Sequence, residues 1–256
     1  MNGITINLNN HDSAIYTGIK WREAGRFLPV SGVVIVTDDN VKQIYGNLFP
    51  PFPVFSIEPG EGSKSISTIE HLASKLLDAG IDRSGFILGI GGGVVCDITG
   101  FLASVYMRGV KFGFVSTTLL SQVDASVGGK NAVNAAGAKN ILGCFRQPEF
   151  VICDPEMLKT LPEDEYLSGL PELIKMGLIM DYNLFAKIEN NCADILERDT
   201  SLLEYLVSVS LGLKASVVME DEQELTGRRM ILNFGHTFGH VIESAARLKH
   251  GFAVAA

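Results

Sequence analysis

The chain has 256 residues with 21 basic and 29 acidic side chains, a net charge of −8, 46% hydrophobic residues and a mean hydropathy of +0.23. That composition fits a disordered or low-complexity chain poorly, and the lack of a run of Lys or Arg to follow a phosphate backbone argues against nucleic acid as a partner. An anionic ligand would need basic contacts gathered locally by the fold, against the overall charge.

The N-terminus, Met1-Asn2-Gly3-Ile4, has no basic segment leading into an apolar one, so no signal peptide is expected. The most apolar region, 86–105, is broken by Asp97 and several glycines, which argues against a membrane span. Cys96, Cys144, Cys153 and Cys192 form no C-x-x-C pair and read as ordinary thiols of a reducing compartment. The expectation is a soluble, cytoplasmic protein.

Short β-branched runs at 32–37, 54–57, 86–89, 112–116 and 150–153 suit strands buried on both faces. Between them, 65–79 places Ile66, Ile69, Leu72 and Leu76 at helical spacing, and such alternation predicts a parallel α/β sheet. After Pro155 the strands stop, and 163–180, 202–219 and 230–248 read as amphipathic helices. The expected fold class is α/β, a Rossmann-like parallel-sheet domain over 1–155 followed by a mostly helical domain over 156–256. The apolar stretch 251–256, with neither cap nor polar tail, reads as the cut end of a longer polypeptide.

Gly89-Ile90-Gly91-Gly92-Gly93-Val94-Val95-Cys96-Asp97 follows a strand and opens a helix, where backbone N–H groups can cradle a pyrophosphate. Cys96 stands where G-x-G-x-x-G needs its third glycine, so a tight structural turn accounts for the run as well. In Thr37-Asp38-Asp39-Asn40 the polar side chains could bind ribose hydroxyls or cap a helix, and Pro59-Gly60-Glu61-Gly62-Ser63-Lys64 is a loop over a nucleotide or a plain helix entry.

His236 and His240, at i and i+4, face the same way on a helix, a spacing that suits a divalent metal or simple packing. Thr237 occupies the place of the zinc-peptidase glutamate, which argues against a peptidase. His250 offers a third imidazole and Glu172 an oxygen from another helix; His11 and His71 read as surface residues. Asp124-Ala125-Ser126-Val127-Gly128-Gly129-Lys130 and Gly137-Ala138-Lys139-Asn140 lack P-loop spacing; their lysines either hold phosphate or carboxylate, or are solvated.

Taken in order, Gly91-Gly92-Gly93 with Asp97, Tyr106-Met107-Arg108-Gly109, Ser116-Thr117-Thr118, the 122–130 block, Lys139-Asn140, Glu172 with Lys175, and Asn233-Phe234-Gly235-His236-Thr237-Phe238-Gly239-His240 closely resemble the 3-dehydroquinate synthase family. Departures are Cys96, Phe252 and Asn131-Ala132. The resemblance implies an NAD-binding α/β domain, a helical domain carrying zinc or cobalt, an active site between them and a homodimer. It further implies that a phosphorylated sugar acid, 3-deoxy-D-arabino-heptulosonate 7-phosphate, is converted to 3-dehydroquinate in the shikimate route, with NAD removing and returning a hydride while a metal polarises the carbinol oxygen.

By matching position, Glu172, His236 and His250 would be metal ligands. Asp124, Lys130, Asn140, Lys175, Lys214, Arg229, Asn233 and His240 would form the substrate pocket, with Arg108 lent across a dimer interface. Asp38, Asn40, Glu61, Lys64, Gly91, Gly92, Gly93, Asp97, Thr117, Thr118, Lys139 and Thr160 would contact NAD. Alternatives are another sugar-phosphate cyclase, a metal-dependent polyol dehydrogenase, or an inactive NAD-binding fragment. Because His250 lies six residues before Ala256, weak metal binding and an empty or disordered ligand cluster are expected.

Overall fold

A computed structural model describes residues 2–6, 12–246 and 248–255. The strands are β1 (Asn2–Ile6), β2 (Ser13–Thr17), β3 (Val33–Asp38), β4 (Val54–Ile57), β5 (Phe86–Gly91), β6 (Lys111–Ser116), β7 (Lys130–Ala135), β8 (Ala138–Phe145) and β9 (Phe150–Cys153). The helices are α1 (Asp39–Tyr45), α2 (Ile66–Asp78), α3 (Gly93–Val105), α4 (Glu163–Met180), α5 (Tyr182–Glu189), α6 (Cys192–Leu196), α7 (Thr200–Glu220), α8 (His236–Ala246) and α9 (His250–Ala255).

Among the described residues, seven strands form one sheet in the order β1-β2-β9-β6-β5-β3-β4. All its pairings are parallel except β1 with β2. The five strands read from sequence form the parallel part of this sheet together with β2, and their residues alternate between two apolar layers. Val34, Val36, Ile87 and Phe114 face α2, α3 and the helical half, whereas Val33, Ile35, Leu88 and Ile90 face Trp21, Phe27 and Tyr45. Burial on both faces is why these strands appear as unbroken apolar runs.

The order β4-β3-β5-β6-β9 follows the flavodoxin-like winding, in which successive crossovers diverge between its first and third strands, here β3 and β5. The ends of those strands, Asp38 and Gly91, therefore flank the crevice where doubly wound sheets bind ligands. β1 and β2 are short alternating strands at one edge, a weaker signal that a search for apolar runs does not catch. Hairpin β7–β8 has no such run either: its few apolar residues, Val133, Ile141, Leu142 and Phe145, are scattered among small and polar ones, it turns through Ala136 and Gly137 at φ of 51° and 78°, and β8 is largely exposed.

The first half does not stand on its own core. Leu203, Leu206, Val207 and Leu211 of α7 join the same apolar layer as Val34 and Ile87. By length and composition α7 could cross a membrane, but half of its most apolar window is buried in the protein, as in a core helix. The helices expected at 163–180 and 202–219 are α4 and α7. The single helix expected at 230–248 is corrected: a 3₁₀ stretch, Arg228–Asn233, gives way to Gly235, whose φ of +81° breaks the helix before α8 begins at His236.

Candidate active site

Gly91, Gly92 and Gly93 close β5 and open α3, and none has free room for a side chain. An added Cβ would lie 2.5 Å from Val95 Cβ, 2.8 Å from Thr118 Cγ2 and 3.3 Å from Ala125 Cβ, respectively. Thr117 N donates to Gly91 O at 3.0 Å, joining the adjacent strand end to this turn. Across the crevice, Asp38 Oδ1 caps α1 by accepting from Val41 N at 3.0 Å; burial raises the carboxyl above its ordinary pKa. The cap reading of Asp38 is realised, and its strand-end position keeps it beside the crevice.

Asn40 is exposed on α1, while Thr160 meets Tyr45 through their hydroxyl oxygens, 2.6 Å apart. Lys64 is buried and paired with Asp97, whose carboxyl burial pushes up to about 6 against that pairing. Glu61 accepts from Asn134 Nδ2 at 2.8 Å, and Asn134 N donates to Lys64 O at 2.8 Å, so this loop is docked on hairpin β7–β8.

A cavity of about 470 Å³ opens between the hairpin and the helical half, lined by Asp97, Asp124, Lys130, Asn140, Lys214 and Arg229 among others. A single π-helical turn at Ser121–Ala125 places Asp124 there, and Lys214 Nζ donates to its Oδ1 at 2.6 Å. Burial opposes ionisation of Asp124, but the ammonium groups of Lys214 and Lys175 outweigh it and hold the carboxyl below its usual range. Arg229 Nη2 donates to Gly128 O at 2.8 Å, and Lys130 is paired with Glu224. Asn233 Nδ2 also donates to Glu224, at 3.0 Å.

The third group is the carboxylate and imidazoles expected to bind metal. Glu172 on α4 is 1% exposed and faces His236 Nε2 at 3.6 Å and His250 Nε2 at 3.5 Å from its Oε1. One ligand atom from each of the three lies within 4.8 Å of the others. Lys175 Nζ sits against Glu172 Oε2, yet neither carboxylate oxygen has a well-angled hydrogen bond among the described residues.

Each imidazole has a partner for Nδ1: Phe234 O at 3.2 Å for His236 and Glu243 Oε2 at 3.1 Å for His250. Donation from Nδ1 leaves the Nε2 lone pairs directed at Glu172, an arrangement that fits a divalent cation in an N,N,O set. Burial lowers the His236 pKa below its ordinary value, favouring the neutral ligand form, while the nearby carboxylates of Glu172 and Glu243 raise that of His250. Of the expected empty or disordered cluster, the disordered form is corrected: the three side chains converge, because α9 packs directly on α4. Gly251 N donates to Ser168 Oγ at 3.3 Å, and a Cβ on Gly251 would lie 1.8 Å from Ser168 O.

Lys175 does not line the cavity; it is buried with Glu172 and donates to Leu232 O at 2.7 Å. Arg108 is exposed on the 106–109 turn and is not among the cavity's lining residues. His240 lies on α8, its side chain outside the described residues; His11 also lies outside them, and His71 is exposed. Sequence reasoning missed Glu224, Asp221 and Glu243. Glu243 had a signal, since it follows His236 by seven residues and so shares its helix face.

A nucleotide-type crevice, a cation-lined cavity and a carboxylate–imidazole cluster on one α/β-plus-helical scaffold define the architecture of the sugar-phosphate cyclases. A solved 2-deoxy-scyllo-inosose synthase, complexed with carbaglucose-6-phosphate, NAD+ and Co2+, superposes with a TM-score of 0.87 at 26% identity, over 99% of this chain and 72% of that one. The 3-dehydroquinate synthase N-terminal model matches residues 54–168 and the C-terminal model 169–256. The 3-dehydroquinate synthase of Alkaliphilus metalliredigens is 40% identical over 99% of this chain and 74% of its own length; that of Geobacter metallireducens is 46% identical over 81% and 58%. The chain belongs to the 3-dehydroquinate synthase family.

Proposed function

We propose that this chain carries the machinery for converting 3-deoxy-D-arabino-heptulosonate 7-phosphate to 3-dehydroquinate with release of phosphate, using NAD and a divalent cation. The observation that carries this reading is the convergence of Glu172, His236 and His250 in a fold that also gathers Lys130, Lys214 and Arg229 around one cavity and sets the Gly91–Gly93 turn at a strand end. When bound, NAD supplies a reversible hydride acceptor and the cation, zinc or cobalt for such a donor set, a Lewis acid.

The chain's own groups divide the remaining work. Lys130 and Arg229 offer charge-assisted contacts to phosphate and carboxylate, and Asp124, held ionised, accepts hydrogen bonds from substrate hydroxyls. Asn140 and Asn233 add neutral polar contacts, as would His240. Lys175 holds Glu172 in place. Asp38, Asn40, Glu61, Lys64, Asp97, Thr117, Thr118, Lys139 and Thr160 would surround NAD at the crevice. In this reading 1–155 is the NAD domain, 156–256 the metal and substrate domain, and the enzyme works in the cytoplasm as a homodimer. Arg108 suits a role across that interface because Met107 and Arg108, at φ of 47° and 67°, project an exposed turn.

The test is phosphate release from the heptulosonate phosphate by a chain extended to the length of its relatives. Lys130→Ala should lower kcat/KM by about 1.5–3 kcal/mol in barrier terms while NAD affinity holds. No phosphate release by the extended protein, with NAD and metal bound, would overturn the assigned substrate; wild-type turnover in the variant would show that Lys130 serves only its ion pair with Glu224.

A further inference from the structure

One carboxylate outside the ligand set and the cavity lining joins two parts of the site. Glu243 lies on α8 on the same face as His236, and its side chain is 13% exposed. Its Oε2 meets His250 Nδ1 at 3.1 Å, and its Oε1 is paired with Lys139 Nζ from hairpin β7–β8.

His250 is the first residue of α9, a six-residue helix that does not itself fix the ring's rotation. A carboxylate accepting from Nδ1 fixes both the ring's orientation and the tautomer that leaves Nε2 free. Glu243 in turn is anchored from outside its helix. Lys139 belongs to β8, on a hairpin already docked through Asn134 onto Glu61 and Lys64 at the crevice side.

We propose that Glu243 is a positioning residue of the metal centre: it sets the His250 ring with Nε2 toward Glu172, and Lys139 holds Glu243 there, so the placement of hairpin β7–β8 is transmitted to metal affinity. This rests on the reading of Glu172, His236 and His250 as a metal site. The role is distinct from ligation, because among the described residues Glu243 meets the cluster at the far nitrogen of one imidazole.

Zinc affinity is measured on the wild-type chain, E243Q, K139M and H236Q by competition with a chromophoric chelator, with imidazole ¹⁵N spectra of the metal-free proteins. E243Q keeps the side-chain shape and should melt with the wild type, yet bind zinc about 10- to 100-fold more weakly, as outer-shell losses do. Its His250 ¹⁵N pattern should lose the signature of the Nδ1 hydrogen bond to the Glu243 carboxylate. K139M should weaken zinc binding in the same direction by a smaller factor, and H236Q should lose it.

Wild-type zinc affinity in E243Q alongside loss in H236Q overturns the role of Glu243 and leaves the metal site standing. Wild-type affinity in H236Q, or no zinc on the wild-type chain, overturns the metal reading and this proposal with it. Should E243Q melt early, K139M decides, since Lys139 is half exposed: unchanged affinity there overturns the transmission through Glu243.

Discussion

At the sheet end of the site, Asp38 and Gly91 to Gly93 stand where two strands emerge from a doubly covered sheet, whereas at the helical end His236 and His250 stand on the first residues of short helices. The sheet end is placed by neighbours in a parallel ladder, Thr37 with Ile90 and Gly91 with Ser116. The helical end is placed by contacts between segments far apart in the chain: Gly251 on Ser168, Lys249 on Asp164 and Glu165, Glu243 on Lys139. A ladder over-determines position, because many hydrogen bonds must break together before a strand end shifts. The helical end depends on a few side chains, so single changes there should move the geometry without unfolding the protein.

Two substitutions with the largest expected effects separate these ends. His236→Gln removes an imidazole ligand without leaving a buried charge, and zinc binding should vanish in calorimetry while NAD affinity stays at the wild-type value. Gly92→Val should do the reverse: its side chain enters the space beside Thr118 and the pyrophosphate path, abolishing NAD binding and sparing zinc. If either variant lost both ligands, the two ends would be one cooperative unit and the contrast would fail.

Gly251→Ala probes the helical end more gently. The added methyl meets a main-chain carbonyl at 1.8 Å, so α9 must move away from α4 and carry His250 with it. Zinc affinity should drop by about 10- to 100-fold, in the range of outer-shell defects, with NAD binding unchanged. Wild-type zinc affinity would show that α9 does not set the ligand position.

The smallest effect concerns the loop that carries Glu224 and Arg229. Asp221 accepts from Leu225 N at 2.8 Å and from Arg229 N at 3.1 Å. Burial opposes its ionisation, but these and the Thr226 hydrogen bonds hold the carboxyl at about 2, below the ordinary 3.8. A depressed folded-state pKa stabilises the protein above the unfolded value, and that contribution fades as pH falls toward about 2. Wild type should therefore exceed Asp221→Asn in urea stability at neutral pH, with the gap narrowing below about pH 4. A gap that widens on acidification would refute this account of the loop.

The central strands and the glycine turn are legible because their signals are local. Residues 33–36 are apolar without a break and 86–90 are interrupted only by Gly89, while three successive glycines at a strand end mark a turn too tight for side chains. The proposed ligand triad is only weakly legible: the residues alone offer His236, His240, His250 and Glu172 as candidates, and the family resemblance makes the choice among them. A single helix over 230–248 is the wrong reading because apolar spacing there outweighs one glycine, although Gly235 marks the place where the chain turns.

By itself the sequence determined the layered α/β core, the strand–turn–helix at 89–97 and the helical second half, because periodicity and β-branched runs report burial directly. Only the tertiary structure decided which polar groups meet. Lys214 reaches Asp124 across 90 residues, Lys139 reaches Glu243 across 104, and Glu172 comes to face two imidazoles from other helices. Such pairings have no period along the chain: a charged side chain looks the same in sequence whether it ends in solvent or against a partner, and the packing of the helical half on the sheet makes that choice.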